Sequence, residues 1–483
     1  MRISKEVGGR AGVLAAAVVM GTPLNVGLVG DLGFELPDAG PNDLLVAIRA
    51  GSAEDADAAV ATAEALLAER APHGVDGGVV AAPRSIAAAA RQDSGLSIAF
   101  VSVPGAHAAY ELASALENGL HVFCFSDGVG LLEEATLKQL AAERGLLLMG
   151  PDCGTAIVDG VAFGFANAVR RGPVGVVGAS GTGTQELCCL LDMAGVGVSH
   201  AIGVGGRDLS SEVGGIMTLR ALELLASDPA TSVIVVVSKP PDTAVADRVV
   251  ADAARTSRPA VVCFLGTDRP SSGLPNGVEV TGSLEEAARM AADLAGRPLI
   301  PSADPQPETV TAGDIRGLFT GGSLCDEAMA LVARRVGRVA SNTPLRPDWA
   351  LEDVRRSEGH TFIDFGDDRL TEGRPHPMID PTIRNRRFLE EAADAAVGVV
   401  VLDVVLGFGA HPDPASELGP LVEGALDGRA GTLSVVVDVC GTPADPQDVT
   451  AQAARLGEAG ALITRSAAQA ARTALRAAGP VDR

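Results

Sequence analysis

Short unbroken apolar runs, each followed by a helix-length stretch, constrain this chain more than any other feature. Residues 233–237 and 260–265 are the clearest of them, and 399–404 is interrupted only by Asp403. A run of about six such residues reads as a strand covered on both faces, since a strand with one wet face alternates instead. Strands that alternate with helices across short loops pair in parallel and build doubly wound sheets. The fold class is therefore α/β, with several doubly wound domains. Ligands of such sheets lie beyond the carboxyl ends of the strands.

The alternation divides 483 residues, too many for one core, into successive parts. Residues 1–95 form a first α/β domain, with a strand at 44–49 and a helix at 52–70. Residues 96–170 form a second, with strands at 97–103, 121–125 and 146–149. The third part, 171–297, repeats the pattern from a strand at 174–177 to one at 260–265. Four prolines in a polar stretch mark 298–309 as a linker. The last part, 310–483, holds strands at 314–319, 399–404 and 432–439, and a polar insert at 360–387 dense in Arg, Asp and His. The apolar stretch 11–20 follows three basic residues but no small-x-small cleavage pattern. It is expected to be a buried helix running into a loop rather than a signal peptide. No run reaches the ~18 apolar residues of a membrane span.

Aromatic residues make up 3% of the chain and the net charge is −23. Both argue against nucleic acid, which needs stacking faces or basic surface. An anion site in so acidic a protein has to be local, built from backbone N–H groups and a few cations. The seven cysteines include no C-x-x-C pair, which fits a reducing, cytoplasmic setting.

Two segments have that local character. In Gly178-Ala179-Ser180-Gly181-Thr182-Gly183-Thr184-Gln185-Glu186 a strand enters a loop of Gly, Ser and Thr, and a helix leaves it. The same order recurs in Leu318-Phe319-Thr320-Gly321-Gly322-Ser323-Leu324-Cys325-Asp326-Glu327. Free N–H groups at a helix start, with the helix dipole behind them, bind anions, and glycine lets the backbone approach closely. No lysine precedes the Ser or Thr, so neither is a Walker A loop. Ser180, Gly181, Thr182, Gly321, Gly322 and Ser323 are the candidate phosphate-binding residues. Two such loops, each opening its own α/β unit, are expected to face one another across an interface.

Val103-Pro104, Gly150-Pro151-Asp152-Cys153, Gly178-Ala179-Ser180-Gly181-Thr182 and Gly203-Val204-Gly205-Gly206 fall in an order similar to that of the succinyl-CoA synthetase α subunit. Gly321-Gly322-Ser323-Leu324-Cys325-Asp326 resembles a helix start in the carboxy-terminal domain of the β subunit. The whole chain, with Gly373-Arg374-Pro375-His376-Pro377 and Gly407-Phe408-Gly409-Ala410-His411-Pro412-Asp413, resembles the FdrA family. The resemblance implies a Rossmann-like CoA-binding domain followed by two flavodoxin-like CoA-ligase domains. It implies Val103, Pro104, Pro151, Asp152 and Cys153 as residues contacting a substrate or a CoA-like ligand, and leaves CoA binding itself open.

The synthetase carries a histidine on a loop after the strand that here is 260–265, yet no histidine lies between His200 and His360. Ser238-Lys239-Pro240-Pro241 stands where a glutamate should steady it. The FdrA resemblance implies instead a subunit of oxamate carbamoyltransferase in allantoin breakdown, with phosphate or carbamoyl phosphate as substrate, other subunits as partners, and an oligomeric assembly. Arg374 and His376, or Arg384, are candidates to bind a carboxylate or polarise a carbonyl. His411 and Asp413 are candidates to supply a proton or orient a partner. The spacings of these groups fit no metal-ligand box. Two readings stay beside this one: an acyl-CoA synthetase of the succinate type that takes its histidine from another chain, and a non-catalytic CoA-binding scaffold.

Overall fold

A computed structural model describes residues 2–21, 23–40, 43–68, 83–267, 273–299, 303–372 and 374–479. The last two residues of the helix expected at 52–70, and positions 300–302 of the expected linker, lie outside them. The chain divides into two compact units, Met1–Ala82 with Asp367–His376, and Pro83–Gly366 with Pro377–Arg483.

The first unit is built on two antiparallel strands, Val13–Met20 and Leu44–Ala50. The expectation of a helix over 11–20 is corrected here. A short apolar run bounded by turns does not distinguish a strand from a buried helix by periodicity. What decides it is the partner strand, which pairs with Val13–Met20 along its length. Ala53–Ala68 is a helix, with Glu54 and Asp55 in its first turn where the dipole favours them.

Among its described residues the second unit holds three sheets. Three short parallel strands, Ile98–Val101, His121–Cys124 and Leu148–Met149, form the smallest. A seven-stranded sheet has five parallel strands in the order Val278–Thr281, Ala260–Phe264, Val233–Ser238, Arg171–Ala179 and Val198–Gly203. A hairpin, Thr155–Val158 and Val161–Gly164, adds to its last edge in antiparallel sense. The six-stranded sheet is parallel throughout: Ala340–Ser341, Thr361–Asp364, Asp314–Phe319, Val397–Val405, Ser434–Cys440 and Leu462–Thr464. The polar stretch at 360–387 thus contains a buried strand of this sheet, Thr361–Asp364, and the start of the helix Thr382–Ala393.

Helix Gly181–Met193 packs against Leu284–Leu294, helix Gly322–Val336 packs against Ala467–Ala478, and Gly181–Met193 meets Gly322–Val336. Their facing surfaces are rich in small residues: Ala287, Ala288, Ala291 and Ala292 on one, Ala467, Ala470, Ala471 and Ala474 on another, all fully buried. Small side chains let the axes approach, so one continuous apolar core joins the seven- and six-stranded sheets. That close approach also brings two helix starts together.

Candidate functional site

The first helix start is held by its own side chains. Strand Arg171–Ala179 ends at Ser180, whose backbone is extended (φ −164°, ψ 117°) and whose hydroxyl accepts the Gly183 N–H at 3.1 Å. The Thr184 hydroxyl returns to the Ser180 carbonyl at 2.6 Å. A Cβ at Gly178 would lie 2.0 Å from that hydroxyl, so only glycine fits there. The N–H groups of Gly181 and Thr182 have no acceptor within an α-helix at this position.

The second start is held by a neighbouring strand. Gly321 precedes helix Gly322–Val336 and offers no side-chain cap. The fully buried Asp403 carboxylate of strand Val397–Val405 accepts the Thr320 N–H at 2.6 Å, the Gly321 N–H at 2.7 Å and the Thr320 hydroxyl at 2.9 Å. Burial pushes the Asp403 carboxyl up, against the pull of Arg384 and these donors. Arg384, 2% exposed, gives its Nη1 to the Asp403 carbonyl at 2.8 Å. This candidate for carboxylate binding is therefore engaged inside the protein.

The two starts face each other. Ser180 Oγ and Ser323 Oγ share a hydrogen bond of 2.5 Å, and both residues are buried. A Cβ on Gly321 would stand 3.0 Å from Thr182. Beside them lies Lys239, at the carboxyl end of strand Val233–Ser238. Its ammonium is 3.0 Å from Asp326 Oδ2 and would lie 3.2 Å from a Cβ on Gly322, with Asp364 on the same side. Burial works against the Lys239 charge, but Asp326 and Asp364 outweigh it and raise the lysine above its ordinary value. The sequence noted Lys239 only as a departure from a family pattern; its strand-end position is what would have marked it as a cation for the site.

Two strand-end loops reach the same region. The Val103 N–H donates to the Ser126 hydroxyl at 2.9 Å, and the Asp152 N–H to the Ser126 carbonyl at 2.9 Å. Val103 and Pro104 are exposed, as is Asp152, while Pro151 is buried. Cys153 is buried and its thiol is pushed up to about 12 by desolvation, so it is no nucleophile at neutral pH. A Cβ on Gly181 would lie 3.9 Å from the Gly154 Cα, which places this loop beside the first helix start.

The remaining candidates sit elsewhere. Arg374 and His376 belong to the first unit, where Arg374 Nε donates to Asn25 Oδ1 at 3.1 Å. Loss of water contact lowers His376 to about 4, so its imidazole is neutral at physiological pH. In the second unit, His411 Nδ1 accepts the Asp413 N–H and Nε2 meets Glu417 Oε1, both at 3.1 Å. Asp413 is gripped by both Arg455 terminal nitrogens and by Gln452, which hold it at about 2. His411 and Asp413 thus secure the start of helix Pro414–Gly428.

Beneath the facing starts lies a set of buried carboxyl groups that sequence reasoning missed. Six residues after its N-cap, each helix carries a glutamate (180 to 186, 321 to 327). Glu186 Oε2 accepts the Ala467 N–H at 3.0 Å, and Glu327 Oε1 accepts the Leu284 N–H at 2.8 Å. Each glutamate caps a helix of the opposite half. Desolvation raises both, with Asp438 adding to the effect on Glu186; Glu327 and Asp438 each reach about 7.

Among the described residues no group of three or more His, Cys, Asp or Glu could hold a metal ion, and no helix is long and apolar enough to cross a membrane. Residues 318–477 match the CoA-ligase family, 169–266 the CoA binding domain, and 1–82 the AllF heavy metal-associated domain. Residues 1–82 contain no cysteine and a single histidine, His73, which lies outside the described residues. They therefore lack the thiolate pair a soft metal requires. The α-2 subunit of an ADP-forming succinate–CoA ligase of Trichomonas vaginalis is 30% identical over 153 residues, covering 31% of this chain and 48% of its own. The corresponding α subunit of Aquifex aeolicus is 28% identical over 154 residues, covering 31% and 49%. The uncharacterized protein YahF of Escherichia coli is 42% identical over 489 residues, covering 96% of this chain and 93% of its own. With that full-length match and the CoA-binding and CoA-ligase domains in one chain, the protein belongs to the FdrA family of succinyl-CoA synthetase-like proteins.

Proposed function

We propose that this chain is the phosphate-holding subunit of an oxamate carbamoyltransferase, acting with other subunits on oxalurate and inorganic phosphate. The observation that carries the reading is the 2.5 Å contact between Ser180 and Ser323 at two facing helix starts, in a chain with no histidine from 201 to 359. A phosphohistidine relay needs that histidine; an anion cradle does not. In the reaction, a phosphate oxygen attacks the ureido carbonyl carbon of oxalurate. The carbon–nitrogen bond then breaks, oxamate leaves with a proton gained at nitrogen, and carbamoyl phosphate remains. On binding, the anion exchanges one neutral hydroxyl–hydroxyl bond for charge-assisted bonds from both serines, which are shorter and about twice as strong. Lys239 and the N–H groups of Gly181 and Thr182 add fixed positive potential where charge develops.

The test is to co-express the chain with its genomic neighbours and supply carbamoyl phosphate and oxamate without nucleotide. Oxalurate formation, reduced at least tenfold by Ser180→Ala with Ser323→Ala, supports the reading; inactivity under every partner combination removes it. The CoA-ligase and CoA-binding matches favour one other reading, an acyl-CoA synthetase. ATP- and CoA-dependent thioester formation by the same preparation would select that one instead.

A further inference from the structure

Helix Gly322–Val336 begins at a residue whose missing side chain leaves a small space, and two opposite charges fill it. A Cβ on Gly322 would collide with Asp364 Oδ2, and the Lys239 ammonium would stand 3.2 Å from it. Asp364 ends strand Thr361–Asp364 of the six-stranded sheet, and Lys239 directly follows strand Val233–Ser238 of the seven-stranded one. Glycine is required at 322 because these two groups meet there. A negative group is stabilised both at a helix start and beside an ammonium. The Asp364 carboxylate therefore stands at the second helix start, next to Ser323, as a bound anion would.

The backbone beneath that carboxylate is fixed. Asn342, just past edge strand Ala340–Ser341, accepts the Asp364 N–H on Oδ1 and donates from Nδ2 to the Asp364 carbonyl, both at 2.9 Å. With both peptide groups held, the carboxylate moves by rotation of its side-chain bonds between staggered positions. It has somewhere to turn, since Asp364 Oδ1 already accepts the Gly366 N–H at 2.8 Å in the loop that leaves the strand. Asp326, the other acid against Lys239, stands on the helix itself with its Oδ2 at 3.0 Å from the ammonium. One ammonium between two carboxylates leaves an excess of negative charge, which a dianion has to approach at a Coulomb cost. Withdrawal of Asp364 removes that excess and keeps the Asp326 pair.

We propose that Asp364 is the resident anion of this site. It occupies the second helix start while no ligand is present and turns aside when phosphate arrives, releasing Lys239 to it. This rests on the phosphate-holding reading and names how that site is regulated. Affinity for phosphate is then set by an internal competitor, and is reduced by the fraction of molecules in which the carboxylate stands aside.

The full chain is titrated calorimetrically with inorganic phosphate at constant ionic strength. Asp364→Asn keeps an oxygen for the Gly366 N–H and removes the charge. It should bind phosphate about tenfold more tightly, as if the carboxylate stood aside in about one wild-type molecule in ten. Lys239→Gln alone weakens phosphate binding about tenfold. In that background the gain from Asp364→Asn falls below about threefold, because the ammonium that pins the carboxylate is gone. If Asp364→Asn fails to fold, Asp364→Ser carries the same test. Equal or weaker phosphate binding by the Asp364 variant, or an undiminished gain without Lys239, overturns the inference and spares the proposed function. Phosphate binding by none of these proteins, wild type included, sinks the phosphate-holding reading and the inference with it.

Discussion

The two facing helix starts have nearly the same sequence design and are solved in opposite ways. At the first, neutral hydroxyls do the work: Ser180 accepts the Gly183 N–H, and the Thr184 hydroxyl donates to the Ser180 carbonyl. At the second, three carboxylates crowd the helix end, with Asp403 on the Thr320 and Gly321 N–H groups and Asp326 and Asp364 against Lys239. A dianion approaching the first start meets dipoles and hydroxyls; at the second it competes with charges already in place. The lesson is that a glycine-rich helix start supplies donors, while the neighbouring strand ends decide whether those donors remain for a ligand.

The most severe test of this asymmetry is Asp403→Ala. It leaves Arg384 buried without its carboxylate and two N–H groups unsatisfied, so a loss of about 3–5 kcal/mol is expected in denaturant unfolding. Ser180→Ala, which removes a cap and the bond to the buried Ser323 hydroxyl, should cost less, about 2 kcal/mol. Equal costs would break the comparison.

A second test uses the buried carboxyl groups beneath the two helix starts. Glu327 and Asp438 have folded values raised to about 7, above their ordinary 4.5 and 3.8. Groups raised in this way bind more protons folded than unfolded between about pH 4 and 7. Their contribution is complete below that window and is lost as pH rises through it. Unfolding free energy should therefore fall from pH 4 toward 7, and Glu327→Gln should flatten the fall. A profile unchanged by that substitution would show that the carboxyl set does not titrate as buried groups.

The smallest effect sharpens the comparison at the ligand. Asp326→Asn releases Lys239 from a direct ion pair and should raise phosphate affinity several-fold by calorimetry, an energy near 1 kcal/mol. A decrease would mean that Lys239 needs Asp326 to hold its place.

Much of the fold was legible from the chain because covered parallel strands leave unbroken runs such as Val233–Val237. Both glycine-rich helix starts were legible too, since their chemistry is local. Strand Val13–Met20 was not, because its identity depends on a partner some thirty residues away rather than on its own pattern. Strand Thr361–Asp364 was hidden by its polar neighbours. Lys239 and Asp403 reach the site through sheet order, which no local window contains. Asp403 did leave one trace: a lone carboxylate inside the apolar run 399–404 is costly unless a partner waits for it. His411 and Asp413 looked chemical because they are polar residues at a strand end, yet their bonds to Glu417, Arg455 and Gln452 fasten a helix start.

The exchange in which Glu186 caps the helix at Ala467 and Glu327 caps the helix at Leu284 bears on how such a chain can be divided. Severed into two polypeptides, each half would carry a bare acidic side chain on a greasy face and a helix end with nothing to bind it. Neither fragment would make a sound solitary protein. Mixed together they would recognise each other through two matched plugs, so ancestral subunits of this kind would have been obligate mates before any covalent join between them.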